Sequence, residues 1–141
     1  MENEDPNNEP LVPLHGSKVP FKAHASFWGN VQTLVYYDQP LMIAIGSAEE
    51  PYLGFAGVDQ VDKYTTYFVI PFTVAGIDAF LAGKLTVEGA IKLAGGDVYY
   101  TEDLKYFRRV PLADMPEDDR VVLQQSGPDY EPIMERRPVF A

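Results

Sequence analysis

Two histidines, four serines, no cysteine and 21 carboxylates form the reactive inventory of this 141-residue chain. A metal site needs several ligands converging on one point. His15 and His24 bring neither an H-E-x-x-H spacing nor a neighbouring Asp/His cluster, so they read as ordinary surface histidines. The absence of cysteine excludes disulfides, thiolate zinc sites, iron–sulfur clusters and cysteine nucleophiles together. None of Ser17, Ser26, Ser47 and Ser126 lies in a G-x-S-x-G elbow, and Gly46-Ser47-Ala48 is simple turn chemistry. Gly83-Lys84 lacks the glycine-rich run of a phosphate loop and is followed by Leu85; Gly95-Gly96 reads as a helix stop. These residue types lead us to expect no catalytic set, no cofactor and no metal.

Carboxylates are plentiful, but acid/base catalysis needs them in a partly buried cleft. Glu49-Glu50, Glu102-Asp103 and Asp118-Asp119 all fall in expected turns, where solvation keeps them ordinary. Asp38 follows two tyrosines and precedes Pro40. It reads as a turn determinant, its side chain accepting backbone N–H groups, with Pro40 fixing the turn beside it. A tyrosine–carboxylate cleft at Asp38 or Asp97 is the enzyme alternative.

The nine tyrosines, eight phenylalanines and one tryptophan exceed what a small core must hide. Strand alternation sends Tyr36 and Tyr37 to opposite faces, and likewise Tyr99 and Tyr100. One ring of each pair then points away from the helices. With Trp28, these four tyrosines are the candidate interface, and coverage of those rings by the tails is the competing expectation. Arg108-Arg109 and Arg136-Arg137 are the basic pairs, expected to meet neighbouring acids rather than phosphate.

These residues need elements to hold them. Residues 31–37, rich in β-branched and aromatic side chains, read as a strand; residues 41–45, 52–58 and 64–70 read as three more, joined by turns at 38–40, 46–51 and 59–63. Such short connections require antiparallel pairing. The period then changes. Thr73 caps a helix with Val74, Ile77, Phe80 and Leu81 on one face and Gly83 beyond its end. Thr86 caps a second, with Val87, Ala90, Ile91 and Ala94 inward and Glu88 suiting its dipole. Residues 97–101 return as a strand, and residues 105–110 read as one more. The fold class is therefore α+β: an antiparallel β-meander of about five to six strands packed by two short helices.

Residues 18–30 alternate weakly through Val19, Phe21, Ala23 and Phe27 and read as an edge strand. Val121-Val122-Leu123 reads as a short strand or one apolar anchor. The expected organisation is an acidic, proline-rich tail at 1–17, one α+β domain at 18–112 and a C-terminal extension at 113–141. The last part of that extension, from 126, reads as a tail through Gly127, Pro128, Pro132 and Pro138, with Ile133-Met134 as apolar anchors.

The net charge of −10 repels phosphate backbones, so direct nucleic-acid binding is not expected. No apolar run approaches the roughly 20 residues needed to cross a bilayer, and the acidic start is unlike a secretory or transit signal. A cytoplasmic location and no membrane partner follow as expectations.

Tyr36-Tyr37-Asp38-x-Pro40-Leu41, residues 80–86 (Phe-Leu-Ala-Gly-Lys-Leu-Thr) and Val98-Tyr99-Tyr100 resemble an uncharacterised family of bacterial domains. The likeness covers residues 36 to about 101 and departs from the family at Gln39, where glycine is usual, and at 58–63, often an acidic linker. It implies the meander-then-helix layout and no activity; similar domains look like bacterial accessory proteins.

Function is expected to be that of a non-catalytic, acidic protein-binding or adaptor module, docking a protein partner, basic by charge complementarity, through an aromatic or edge-strand surface. An acidic inhibitor, immunity or nucleic-acid-mimic protein blocking a basic partner is one alternative, and the small enzyme is another.

Overall fold

Side chains spaced two apart build one six-stranded antiparallel sheet in the computed structural model, which describes residues 19, 22–23, 27–57, 65–134 and 137–140. The strands are β1 (Val31–Tyr36), β2 (Pro40–Gly46), β3 (Pro51–Ala56), β4 (Tyr67–Pro71), β5 (Asp97–Thr101) and β6 (Arg108–Pro111). Their spatial order is their chain order, and every neighbouring pair is antiparallel. The molecule is thus the α+β meander that the strand spacing predicts. The helices α1 (Val74–Leu81) and α2 (Val87–Leu93) lie in the connection between β4 and β5.

Both helices start as their threonines dictate. The Thr73 hydroxyl accepts from the Gly76 N–H at 2.9 Å, and the Thr86 hydroxyl from the Gly89 N–H at 3.1 Å. Gly83, at φ 84°, turns the chain out of α1 in the left-handed region that glycine enters without a Cβ clash.

Alternation gives the sheet two covered faces. Met42, Ala44, Leu53, Phe55, Phe68, Ile70 and Val98 point to one side, where Ile77, Phe80, Val87, Ala90 and Ile91 of the helices close over them. Ile43, Ile45, Tyr52, Tyr67, Val69 and Tyr99 point to the other, under Val19, Phe27, Trp28 and Phe107. β3 and β4 are accordingly buried along their whole length. A row of side chains crosses the helix side of β3, β4, β5 and β6. Phe55 stacks on Phe68 with ring centroids 5.5 Å apart, Phe68 meets Tyr100 at 4.9 Å, and the Arg108 guanidinium lies 4.9 Å from the Tyr100 ring.

Two segments depart from their sequence reading. In the described part of 18–30, Lys22 makes one isolated bridge to Tyr106, and Phe27 opens a turn instead of continuing a strand. The apolar residues there serve as a cover. Trp28 donates its indole N–H to the Leu104 carbonyl at 2.7 Å and sits edge-on to Phe27 at 5.1 Å. At the other end, residues 126–134 and 137–140 are seated on the body of the protein. The 3₁₀ turn Gly127–Tyr130 lies so close to α1 that a Cβ on Gly127 would stand 2.5 Å from the Leu81 Cα. Val139 is buried in the helix-side core.

Smaller shifts have local causes. β6 begins at Arg108, because the Asp103 carboxylate accepts the Lys105 and Tyr106 N–H groups at 2.8 and 2.9 Å and curls them into the turn. Residues 117–122 form a 3₁₀ helix, and Leu123 just beyond it is a buried anchor while Val121 is exposed. Residues 1–17 with His15, as well as Ser17, His24, Ser26 and the 59–63 turn, lie outside the described residues.

Candidate functional site

The two ends of a sheet are where backbone donors and acceptors lack a neighbouring strand. At β1 the Asn30 carbonyl accepts the Gly46 N–H at 3.0 Å, so Asn30 faces β2. With Val31 opposite Ile45 and Thr33 opposite Ile43, antiparallel alternation turns the N–H and C=O of Val31 and Thr33 outward. Irregular register between Thr33 and Val35 and between Val35 and Tyr36 then bends the strand. Beyond the bend the edge is taken. Val35 bridges Met134, and the Tyr36 N–H donates to the Ile133 carbonyl at 3.3 Å. Among the described residues, no strand or bridge pairs with the outer side of 31–33.

An open groove of about 680 Å³ lies along this stretch, lined by residues 30–33, residues 47–49, Arg137 and Phe140. Gln32 shapes its floor. Its side-chain amide donates to the Pro138 carbonyl at 3.2 Å, and its oxygen accepts the Phe140 N–H at 2.8 Å. Ser47 is held by the β2–β3 turn, its hydroxyl accepting the Glu50 N–H at 3.3 Å. Among the described residues, the groove lining contains no histidine, and its carboxylate, Glu49, is exposed. None of these described lining residues is placed to activate the Ser47 hydroxyl as a nucleophile. The groove offers backbone groups, the Asn30 and Gln32 amides and the charged Glu49 and Arg137, with fewer apolar groups, among them Val31, itself 42% exposed.

A second, smaller depression of about 220 Å³ sits between Tyr100, Glu102, Asp103, Tyr106, Phe107 and Arg108. Burial first, and then the hydrogen bond to Glu102 at 2.9 Å, push the Tyr100 phenol up to about 12. Backbone N–H groups of Tyr106 and Lys105 hold the Asp103 carboxyl below its ordinary value. Near neutrality the phenol is protonated and the Asp103 carboxylate charged.

The sequence-derived candidates scatter. Tyr36 and Tyr37 stand exposed at the β1–β2 hairpin, at 52% and 64%. Tyr99 is buried on the far face, 5% exposed, and Tyr100 is half-buried in the aromatic row. Trp28 is half-buried over the far face. The five rings therefore do not meet in one patch. Asp38 adopts φ 64°, and across it the Tyr37 N–H donates to the Gln39 carbonyl at 3.0 Å, with β2 starting at Pro40. Its part in the turn is a left-handed backbone, which aspartate tolerates better than most residues. Asp97 lies 3.9 Å from Arg109, and neither Asp38 nor Asp97 lines either depression. Asp119, expected in a solvated turn, is buried beside Gly57 and Tyr100.

Gln32 and Val139 carry no mark in the sequence that separates them from ordinary strand and tail residues. Ile133-Met134 had one, an apolar pair in a polar stretch. Among the described residues, no group of three or more His, Asp or Glu side chains is placed to hold a metal ion, and no helix is long and apolar enough to cross a membrane. Comparison with protein-family models, with curated proteins and with solved structures finds no match to the chain. These comparisons lend no support to the likeness of residues 36 to 101 to a bacterial domain family.

Proposed function

We propose that the protein is a non-catalytic binding module that takes an extended segment of a partner protein alongside β1, as an added antiparallel or parallel strand. One observation carries this reading: the outward backbone groups of Val31 and Thr33 line an open groove whose mainly polar lining also includes Val31 and Phe140. In strand addition, main-chain hydrogen bonds supply affinity and alternate side chains supply selectivity. The net charge of −10 favours a basic segment, by steering its approach and rejecting acidic competitors. The cysteine-free composition fits work in the reducing cytoplasm.

A phage-displayed library of random dodecapeptides, panned on the full chain, tests the reading. Enriched sequences should alternate apolar and polar residues, carry lysine or arginine, and shift the amide resonances of residues 31–33. Enrichment of peptides that shift only β6 or the helices would count against it, as would no enrichment at all.

A further inference from the structure

The groove along 31–33 has a carboxylate fixed at one end. Glu49 is the acidic side chain of its described lining, and the turn that presents it is tied to the start of β1 twice. The Asn30 side-chain amide donates to the Gly46 carbonyl, and the Gly46 N–H donates back to the Asn30 carbonyl at 3.0 Å. Within the turn, the Ser47 N–H donates to the Glu50 carbonyl at 3.4 Å, and the Ser47 hydroxyl accepts the Glu50 N–H at 3.3 Å. Gly46, at φ 98°, lets the Glu50 carbonyl fold so close that a Cβ there would overlap its oxygen. These bonds hold the backbone of Glu49 beside Asn30. Its side chain is exposed and makes no ion pair among the described residues. Glu50 is equally exposed but does not line the groove.

Register decides what meets that carboxylate. A strand bonded to the outward groups of Val31 and Thr33 sets one of its residues opposite Val31. The residues beyond it pass Asn30 and the 47–49 turn, which line the same groove. A long cationic side chain at this place reaches Glu49, and an acidic one is repelled by it. We propose that Glu49 selects the docked segment: it takes lysine or arginine at the residue facing Val31 or at one of the next two toward the turn, and it rejects aspartate and glutamate there. The inference rests on the docking reading and deepens it. It replaces a general preference of a chain of charge −10 for basic partners with one carboxylate and one register position. A preference set by net charge alone responds alike to every exposed acid; a preference set by Glu49 does not.

Three pannings of one random dodecapeptide library separate the two, on the full wild-type chain, on Glu49→Lys and on Glu50→Lys. The two variants change net charge by the same amount. The wild type and Glu50→Lys should enrich a basic residue at one fixed position of the apolar–polar alternation, and Glu49→Lys should enrich aspartate or glutamate there. A peptide selected on the wild type should bind Glu49→Lys roughly 10-fold more weakly, because reversal turns the attraction of an exposed ion pair into a repulsion of similar size. It should bind Glu50→Lys within about 2-fold of the wild type, and Glu49→Gln about 3-fold more weakly. Exchanging its basic residue for glutamate should restore binding to Glu49→Lys. Equal weakening by the two lysine variants, or a basic residue at no fixed position, would mean that charge acts only as a diffuse field, and the proposal falls. Amide shifts of residues 31–33 report docking separately. Peptides that shift those amides yet bind Glu49→Lys as tightly overturn the selection and leave the docking reading standing. Peptides that shift only other surfaces, or no enrichment on any of the three chains, overturn both.

Discussion

The sheet has two edges, and they are built differently. β6 is four residues long, ends at Pro111, and exposes Arg108 and Arg109. Arg108 lies over the Tyr100 ring, and Arg109 lies beside Asp97 across the strand pair. A short, charged strand closed by a residue without an N–H is a poor template for another chain. β1 is six residues long, carries no charged side chain, and has an exposed valine at its start. Its register is irregular in the second half, where Val35 bridges Met134, while among the described residues no strand pairs with the outer side of 31–33. The contrast teaches that this protein guards one edge by composition while, among the described residues, 31–33 of the other meet no strand, and that is why we place the proposed docking site on β1.

Substitutions can break or sharpen this contrast. Phe68→Ala should have the largest effect, a loss of about 3–5 kcal/mol in urea unfolding, since Phe68 is buried between Phe55 and Tyr100. It would undo the row that ties β5 and β6 to the body, so amides of β6 should lose protection before those of β1. Gly127→Ala comes next. Its Cβ would collide with the backbone of Leu81, and a loss of about 1–3 kcal/mol is expected by thermal unfolding. Val31→Lys makes β1 resemble β6. Stability should change by no more than about 0.5 kcal/mol because the side chain is largely solvated, while binding of panned peptides drops at least 10-fold, by roughly the cost of a charge at the contact. Unchanged binding would mean that the edge is not where strands dock.

The smallest effect concerns acid. Asp103 holds the turn before β6, and backbone N–H groups keep its carboxyl below the ordinary 3.8. A carboxyl depressed in the folded state contributes stability above the unfolded value and loses it as pH falls through the folded one. The Lys105 and Tyr106 amides should therefore gain exchange, relative to the usual rate law, only as pH drops below that range. β1 should show no such step, and Asp103→Asn should abolish the one near β6. Carboxyl carbon shifts followed by NMR check the direction.

Much of the fold was legible because its signals are local. The threonines at 73 and 86 cap the two helices, Gly83 ends the first, and the spacing of turns at 38–40 and 46–51 forces a meander. Fold positions that depend on distant partners were not legible. Phe27 and Trp28 look like strand residues until Tyr52, Tyr67 and Phe107 are seen to need a cover. Residues 126–140 look like a tail because proline and glycine dominate, yet Gly127 is there to let the chain approach Leu81. The candidate site was half legible. Docking at an edge strand is among the sequence's expectations, but alternation alone could not say that Tyr99 would be covered, or that Gln32 would meet Pro138 and Phe140 while Met134 bridges Val35.

Hydrogen exchange at the Val31 and Thr33 amides, measured with and without a saturating panned peptide, bears most directly on the edge assignment. Added backbone bonds should slow both amides by roughly 100-fold or more and leave the β6 amides unchanged. Protection that falls on β6, or on neither edge while the peptide is bound, would contradict it.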